Sequence, residues 1–235
     1  MLLMNVEQYQ ENSWKILCDF DGTISLQDTT DVLLENFADQ GWEEIEQLWE
    51  QGEIGSKECM QRQIALLNVT KEKLEALVHQ IEIDESFIDF VKAAKKLGIP
   101  LTIVSDGLDI VIRHILAKYN LRHVPVIANQ LEQVSEHRWQ LHFPNATKTC
   151  KSQSGTCKCK VSQTQHKQYK TILIGDGRSD FCLSEEADYV YAKKSLLKHC
   201  QDNNIKHVPF STFTELTKTL DQFVGLPQLD AKVHV

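Results

Sequence analysis

Short apolar segments alternate with amphipathic segments along most of the chain. The segments that we predict to be strands cover residues 15–20, 101–105, 171–175, 189–192 and 207–210. Runs that are apolar on both faces are typical of strands covered on both sides of a parallel sheet. Strands of this kind, separated by helices, predict an α/β fold with a mostly parallel sheet.

The amphipathic segments between these strands have the spacing of helices. Apolar residues recur at steps of three and four over residues 87–97, and again over residues 111–119. The first of these helices is expected to end at Gly98 and Pro100, two residue types that terminate helices. Thr212-Phe-Thr-Glu215 has the pattern of a capping box, which predicts a final helix.

Two parts of the chain break this alternation. Between residues 29 and 83 the sequence shows helical stripes with no strand candidate among them. We therefore predict a small helical cap domain at residues 29–83, inserted into an α/β core formed by residues 1–28 and 84–235. The stretch from about residue 129 to 168 is polar and rich in cysteine and lysine. It is expected to hold a hairpin near 132–143 and then a long loop.

The composition is that of a globular protein with an excess of acidic residues. The chain has 235 residues, 42% of them hydrophobic, and 25 lysines and arginines against 33 aspartates and glutamates give a net charge of −8. This balance argues against nucleic-acid binding, because neutralising phosphates requires a basic face. No apolar run approaches the roughly 18 residues of a membrane span. The N-terminal segment lacks a basic start and a sustained apolar run, so we expect no secretory signal and a cytoplasmic location.

Three of the strand candidates end in acidic or hydroxyl side chains. The segments concerned are Asp19-Phe-Asp21-Gly-Thr23, Ser105-Asp106-Gly107 and Gly175-Asp176-Gly177-Arg-Ser-Asp180. Ligands of open parallel sheets bind at the carboxyl ends of the strands, so these segments should converge on one site. The carboxylates gathered there would repel one another unless a hard cation lay among them, and oxygen ligands suit Mg²⁺. With a serine hydroxyl and a lysine nearby, such a site is expected to bind phosphate.

In this order, the motifs resemble those of the haloacid dehalogenase superfamily of phosphatases. Residues 19–23 resemble its first motif, Ser105 its second and residues 175–180 its fourth. Lys160 is the best match for the lysine of the third motif, with Lys158 as the alternative. The resemblance implies a Rossmann-like core, in which the helical insert is a C1-type cap.

The resemblance also implies a role for each motif residue. Asp19 would be the nucleophile that attacks phosphorus, and Asp21 would protonate the leaving alcohol and later activate water. The Mg²⁺ ligands would be Asp19, Asp21 through its carbonyl and Asp176, with Asp180 as a further ligand or as a residue that supports the ligands. The phosphate would be bound by the Ser105 hydroxyl, the Gly107 amide and the Lys160 ammonium. A Mg²⁺-dependent phosphatase that forms an aspartyl-phosphate is therefore implied.

Two subgroups with C1-type caps compete as models for the substrate. In phosphoserine phosphatases an acidic residue and a cap arginine bind the amine and carboxylate of the substrate, and Asp28 and Arg62 match those places. That subgroup usually has Glu in place of Asp28 and Asn in place of Ser179. The methionine-salvage phosphatases of 2-hydroxy-3-keto-5-methylthiopentenyl-1-phosphate are similar to this chain at both places. They are also similar in the cysteine-rich stretch and in the C-terminal pattern at 191–210.

The favoured partner is therefore a small phosphorylated metabolite resembling the methylthiopentenyl phosphate. Phosphoserine, phosphocholine and phosphoethanolamine are the alternatives. We expect a monomer or homodimer that binds neither nucleic acid nor membrane. A protein of another class, a catalytically idle member that binds a metabolite or a partner, is disfavoured because no motif residue is missing.

The cysteines allow three interpretations. All seven together do not have the spacing of a paired disulfide framework. Cys150, Cys157 and Cys159 cluster beside the lysine candidates. They could bind zinc with a fourth ligand that the spacing does not identify, form a reversible disulfide that positions the lysine loop, or be plain thiols.

Overall fold

The structure, a computed structural model, describes residues 13–165 and 168–224. The strands are β1 (Trp14–Cys18), β2 (Leu101–Leu108), β3 (Val126–Gln133), β4 (Trp139–His142), β5 (Lys170–Gly175), β6 (Tyr189–Ala192) and β7 (Val208–Pro209). They form a seven-stranded sheet in the order β4-β3-β2-β1-β5-β6-β7. Neighbouring strands run parallel except β3 and β4. The prediction of an α/β fold with a mostly parallel sheet is confirmed.

Helices connect the strands of this sheet. In the described part of the chain the α-helices are α1 (Thr29–Phe37), α2 (Trp42–Glu50), α3 (Ser56–Ile64), α4 (Lys71–Val78), α5 (Ser86–Lys96), α6 (Asp109–Lys118), α7 (Lys158–Thr164), α8 (Phe181–Ser184), α9 (Lys194–Asp202) and α10 (Phe213–Thr217). Short 3-10 turns cover Arg178–Asp180 and Leu220–Phe223. None of these helices combines the length and the apolar composition needed to cross a membrane.

The central strands are held in register by buried apolar side chains. β1 lies between β2 and β5, with Cys18 aligned with Ile103 on one side and Ile174 on the other. None of these three residues has exposed area. Each fully buried isoleucine contributes about 1.5–3 kcal/mol relative to an exposed one. The residues that follow these strands therefore lie at one edge of the sheet.

The cap segment (residues 29–83) follows β1 and contains the helices α1 to α4. Apolar side chains of α1, α3 and α4 belong to the same buried cluster as those of β1 and β2. An antiparallel bridge joins Ser25, which lies just before the segment, to Ile83 at its end. Its boundaries as a separate domain remain a prediction, and parts of the predicted core segments 1–28 and 84–235 lie outside the described residues.

Two elements differ from the sequence-based expectation. β3 begins at Val126, pairs first with β2, and then forms with β4 the hairpin that the sequence predicts near 132–143. Residues 158–164 form α7, where the sequence predicts part of a long loop. Both segments bury polar side chains, Asn129 in β3 and Lys158 in α7. Neither therefore has the apolar pattern by which a core element is predicted.

Candidate active site

The carboxyl ends of the three central strands meet at one edge of the sheet. Asp19 directly follows β1, Ser105 lies within β2, and Asp176 directly follows β5. Carboxylate oxygens of Asp19, Asp176 and Asp180 lie within 4.8 Å of one another, and all three residues are buried. The structure therefore brings together motif residues from distant parts of the sequence.

Asp19 is fixed through one of its two oxygens. Oδ1 accepts a hydrogen bond from the amide of Phe20 at 2.8 Å and lies 2.8 Å from Nζ of Lys158. Among the described residues, no donor contacts Oδ2. Burial and the carboxylate of Asp180 raise the pKa of Asp19 well above its usual value, against the opposing charge of Lys158. The arrangement orients the carboxylate and leaves Oδ2 for attack on a substrate.

The structure places Lys158, and not Lys160, beside the carboxylates of the site, which corrects the sequence-based expectation for the position of the lysine. Lys158 is 3% exposed, and its Nζ lies 2.8 Å from Oδ1 of Asp19 and 2.6 Å from Oδ1 of Asp180. Burial opposes its charge, but the carboxylates of Asp180 and Asp19 raise its pKa above the usual lysine value. Lys160 is exposed. Side chains two positions apart on a helix point in different directions, so only one of the two lysines reaches the site.

Asp21 contacts the start of α1 and the second motif. Its Oδ1 accepts from the amide and hydroxyl of Thr29 at 2.9 and 2.6 Å, and its Oδ2 accepts from the Ser105 hydroxyl at 3.1 Å. Gly107 donates its amide to Oγ of Ser105 at 2.8 Å, and a Cβ at Gly107 would lie 2.3 Å from Oδ2 of Asp21. This close approach therefore requires glycine. Burial raises the pKa of Asp21 despite its hydrogen bonds, which suits a group that must carry a proton.

Asp176 contacts groups from the first motif and from α9. Its Oδ1 accepts from the Thr23 hydroxyl at 3.0 Å, and its Oδ2 lies 3.0 Å from Nζ of Lys194. Lys194 also donates to the carbonyl of Gly22 at 3.0 Å. Gly22 has a φ of 67°, and a Cβ there would lie 2.3 Å from Oδ2 of Asp176. Both the backbone conformation and the close contact therefore require glycine at this position.

Asp180 organises the loop that follows β5. Its Oδ1 accepts from Lys158 at 2.6 Å, and its Oδ2 accepts from the amides of Asp176 and Gly177 at 3.2 and 3.3 Å. A Cβ at Gly175 would lie 2.3 Å from Oδ2, so the loop packs directly against this carboxylate. Both oxygens of Asp180 thus bind the protein itself, and the residue orients Asp176 and Lys158.

The buried carboxylates form an all-oxygen donor set that fits a hard cation. One carboxylate oxygen from each of Asp19, Asp176 and Asp180 lies within 4.8 Å of the others, and Oδ2 of Asp176 contacts Lys194, whose side chain is 56% exposed. Carboxylates this close together repel one another, and Mg²⁺ prefers oxygen ligands. We therefore expect Asp19 and Asp176 to hold Mg²⁺. Asp180 would orient these ligands through its hydrogen bonds with the amide of Asp176 and with Lys158. Coordination by the carbonyl of Asp21 stays a prediction.

A cavity of about 350 Å³ opens over these residues. Core residues that line it include Asp19, Asp21, Ser105, Gly107, Asp176 and Lys194, and residues of the cap segment include Thr30, Asp31, Glu46, Trp49, Ser56, Cys59, Met60 and Gln63. The volume lies in the range of pockets that bind small ligands. A substrate whose phosphate contacts Asp19 would therefore place its remaining groups against the cap segment.

Asp28, predicted to bind substrate, lines the cavity. It also caps α1, because its carboxylate accepts from the amides of Thr30 and Asp31 at 2.9 and 3.2 Å. A side-chain acceptor at this position satisfies amides that have no partner within the helix. The structure thus gives Asp28 a capping role and places it where a substrate group could reach it.

Arg62, the other predicted substrate-binding residue, does not line the cavity, which corrects that prediction. It is exposed and lies 3.5 Å from Glu58 one helical turn away. Its neighbour Gln63 is 2% exposed, lines the cavity and donates to Oε2 of Glu46 at 2.7 Å. Consecutive residues of α3 point in different directions, so the cavity receives Gln63 and solvent receives Arg62.

This difference predicts that substitutions at Arg62 and Gln63 have different effects on KM. Arg62→Ala should leave kcat and KM within about twofold, because exposed ion pairs contribute little. Gln63→Ala should raise KM about tenfold, because it removes a hydrogen bond to a charged group in the wall of the cavity. Steady-state kinetics of the two variants checks the prediction, and a clear rise in KM for Arg62→Ala would return that residue to the site.

The cysteine cluster lies beside Lys158 as free thiols. Cys157 is buried and immediately precedes Lys158, while Cys150 and Cys159 are partly exposed. Burial raises the pKa of Cys157 and of Cys159. Within the described ranges, the group of three or more possible ligands at metal-binding distances consists of aspartates.

Several groups of the site are not identified by sequence reasoning. Lys194 lies in the C-terminal pattern at 191–210, but that pattern gives it no role, because its contact with Asp176 depends on the tertiary fold. Thr29 reads as an ordinary residue at the start of a helix. The sequence does indicate Gln63, because Cys59, Met60 and Gln63 recur at helical spacing on one face, whereas Arg62 lies off that face.

Comparison with known proteins agrees with this geometry. The chain is 31% identical over 212 residues to a 2-hydroxy-3-keto-5-methylthiopentenyl-1-phosphate phosphatase of Brevibacillus brevis, with 88% of this chain and 95% of that protein covered. It is 26% identical over 222 residues to Pdp3-interacting factor 1 of Schizosaccharomyces pombe, with 91% and 97% covered. A solved structure of substrate-bound phosphoserine phosphatase matches with a TM-score of 0.66 and 20% identity, covering 88% of this chain and 98% of that one.

A family model matches most of the described chain. The model for haloacid dehalogenase-like hydrolases aligns with residues 16–185, a range that includes every motif residue from Asp19 to Asp180. The sheet order, the buried carboxylates and the cavity above them agree with this match. The chain belongs to the haloacid dehalogenase-like hydrolase family.

Proposed function

We propose that the protein is a Mg²⁺-dependent phosphatase that hydrolyses a small phosphomonoester through an aspartyl-phosphate. The observation that carries this proposal is the position of Asp19, 2.8 Å from the buried Lys158 and lining the same cavity as Asp21 and Ser105. One carboxylate is thereby available for attack on phosphorus and a second for proton transfer.

In the first step, Oδ2 of Asp19 attacks phosphorus, and an O–P bond forms while the P–O bond to the alcohol breaks. The ammonium of Lys158 and the hydroxyl of Ser105 stabilise the negative charge on the transferring phosphoryl group. Asp21 donates its proton to the oxygen of the leaving alcohol, a role that its raised pKa supports.

In the second step, a water molecule attacks the phosphorus of the aspartyl-phosphate. Asp21, now ionised, accepts a proton from this water as the new O–P bond forms. The bond between phosphorus and Asp19 breaks, which returns the carboxylate and releases inorganic phosphate. Mg²⁺ held by Asp19 and Asp176 would supply positive charge that offsets the phosphate charge in this reaction.

The substrate that we propose first resembles 2-hydroxy-3-keto-5-methylthiopentenyl-1-phosphate. The Brevibacillus brevis relative carries that name, at 31% identity over 88% of this chain. A cavity of about 350 Å³ has room for a metabolite of that size. Met60, Trp49 and the thiol of Cys59 provide apolar contacts in the part that belongs to the cap segment.

A second class of substrate, phosphomonoesters that carry an ammonium group, is favoured by the charges of the cavity wall. Asp28, Asp31 and Glu46 bring carboxylates to the cavity, and the basic side chains that line it are Arg178 and Lys194. A substrate cation near these carboxylates would be attracted to them. Phosphoserine, phosphocholine and phosphoethanolamine carry such a group, whereas the methylthiopentenyl phosphate does not.

The test is phosphate release from a panel of these four compounds, with Mg²⁺ and after its removal by a chelator. We expect release that falls at least about 100-fold without the metal, since a catalytic metal contributes several kcal/mol. The highest kcat/KM identifies the substrate class. A preference for the ammonium compounds would overturn the first proposal in favour of the second.

The same panel distinguishes an enzyme from an idle relative. Calorimetry with Mg²⁺ alone shows whether the carboxylates bind the metal. Bound Mg²⁺ with no phosphate released from any compound would contradict the phosphatase proposal. Release that is unaffected by the chelator would contradict the metal dependence but not the hydrolysis.

A further inference from the structure

Asp106 directly follows Ser105, yet the proposed chemical steps give it no role. It is 8% exposed and lines the cavity. Burial raises its pKa, and the hydrogen bonds that the carboxylate accepts oppose this rise. The partners that supply these donors come from three separate parts of the chain.

One oxygen of Asp106 binds two residues of the core. Oδ1 accepts from the amide of Thr156 at 2.8 Å and from Nδ2 of Asn129 at 3.1 Å. The hydroxyl of Thr156 in turn donates to Oδ1 of Asn129 at 3.0 Å. Neither Asn129 nor Thr156 has any exposed area. The three residues therefore form a closed buried network, in which each polar group depends on the others.

The other oxygen of Asp106 binds the cap segment. Oδ2 accepts a short hydrogen bond from the hydroxyl of Ser56, the first residue of α3. A second contact runs beside it, because the amide of Lys57 donates to the carbonyl of Gln153 at 3.0 Å. A Cβ at Gly55 would lie 2.4 Å from Cβ of Gln153, so the start of α3 packs closely against this loop.

The network ends two residues before Lys158. Thr156 is held by Asp106, Cys157 is the residue at which α7 is capped, and Lys158 is its first residue. Nζ of Lys158 reaches Asp19 at 2.8 Å. The position of the Thr156 amide therefore fixes the start of α7, from which the lysine extends to the nucleophile.

We propose that Asp106 is a positioning residue that couples the contact of the cap segment, through Ser56, to the placement of Lys158, through Thr156. Lys158 is aligned with Asp19 when the Ser56 hydroxyl binds Asp106, and less well when that hydrogen bond is absent. The cap segment thus affects the chemical step as well as substrate binding. This inference rests on the phosphatase function proposed above.

Four variants test the coupling. Ser56→Ala should lower kcat about tenfold and leave KM within twofold, because it removes one hydrogen bond to a charged group. Ser56→Thr keeps the hydroxyl and should restore kcat. In a Lys158→Met background, Ser56→Ala should cost less than twofold, because the lysine through which it acts is gone. Ser86→Ala is the matched control, since Ser86 is also the first residue of a helix and donates to a carboxylate, that of Asp84, outside the cavity.

Two results would overturn the proposal. One is an equal loss of kcat from Ser56→Ala in both backgrounds, and the other is a change in KM alone, which would make Ser56 a simple wall residue. Amide hydrogen exchange provides a readout that does not need activity. Ser56→Ala should speed exchange at Thr156 relative to Ser86→Ala, and unchanged protection there would also overturn the coupling. Absence of activity in the unmodified protein would instead contradict the phosphatase function.

Discussion

Asp19→Asn should abolish phosphate release, lowering kcat by at least about 10⁴-fold at saturating Mg²⁺. The amide has nearly the shape of the carboxylate and keeps an oxygen for the Phe20 amide, which lies 2.8 Å from Oδ1 in the native protein. It does not attack phosphorus, so the covalent step is lost. Phosphate release from the best substrate of the panel, measured over hours, checks the prediction.

A second aspartate provides the control for this substitution. The carboxylate of Asp188 accepts from the amide of Thr171 at 2.8 Å and does not line the cavity. Asp188→Asn should therefore keep kcat within about twofold. Comparable turnover by Asp19→Asn and the native protein would rule out the aspartyl-phosphate mechanism. Equal losses in both variants would indicate a general effect on folding.

Lys158→Met should lower kcat about 10²- to 10³-fold, the range found when one preorganised charge-stabilising donor is removed. Lys160→Met is the matched control on the same helix, and because Lys160 is exposed, it should change kcat less than twofold. Kinetics of both variants with the same substrate decides between the two lysines. A large loss for Lys160→Met alone would reverse the assignment made from the structure.

Lys158→Met should also lower the stability of the folded protein. Lys158 lies between Asp19 and Asp180, at 2.8 and 2.6 Å, and all three side chains are buried. Breaking a buried ion pair leaves an uncompensated charge and costs about 3–5 kcal/mol. Denaturant unfolding should show a loss of this order for Lys158→Met and no comparable loss for Lys160→Met. Kinetics must therefore be measured where the variant is fully folded.

Much of the fold could be predicted because the central strands are buried on both faces. β1 contains the apolar run Ile16–Cys18 and β5 the run Ile172–Ile174, and each strand is followed by an aspartate that marks the edge of the sheet. α7 could not be predicted in this way. Its buried face includes Lys158, whose burial depends on two carboxylates that arrive from β1 and from the loop after β5. The local sequence around Lys158 cannot predict partners that lie far away along the chain.

Site residues that belong to a motif could be predicted from the sequence. Residues whose role depends on the direction in which a helical side chain points were harder to predict. The structure brings Asp19, Asp21, Ser105 and Asp176 together, as their motifs suggest. Lys160 lies two positions from Lys158, which contacts Asp19 and Asp180, and Arg62 lies one position from Gln63, which lines the cavity. A shift of that size turns a helical side chain toward solvent. The helical spacing of Cys59, Met60 and Gln63 in the sequence favours Gln63 over Arg62.

The Asp106 network shows a different limit of sequence reasoning. Ser56, Asn129 and Thr156 are ordinary polar residues in separate segments, and only the fold places their polar groups on one carboxylate. These residues interact only because the fold brings them within hydrogen-bond distance of Asp106. Their spacing along the chain does not reveal this.

The most direct test of the account is to trap the phosphorylated enzyme. Asp21→Asn should slow attack by water, and a nitrophenyl phosphate needs no proton on its leaving group, so the covalent intermediate should accumulate. Acid quenching and mass spectrometry of peptides would then locate the phosphoryl group. We expect one phosphoryl group on Asp19 and none in a variant that also carries Asp19→Asn. A phosphoryl group on another residue, or nitrophenol release with Asp19 never modified, would contradict it.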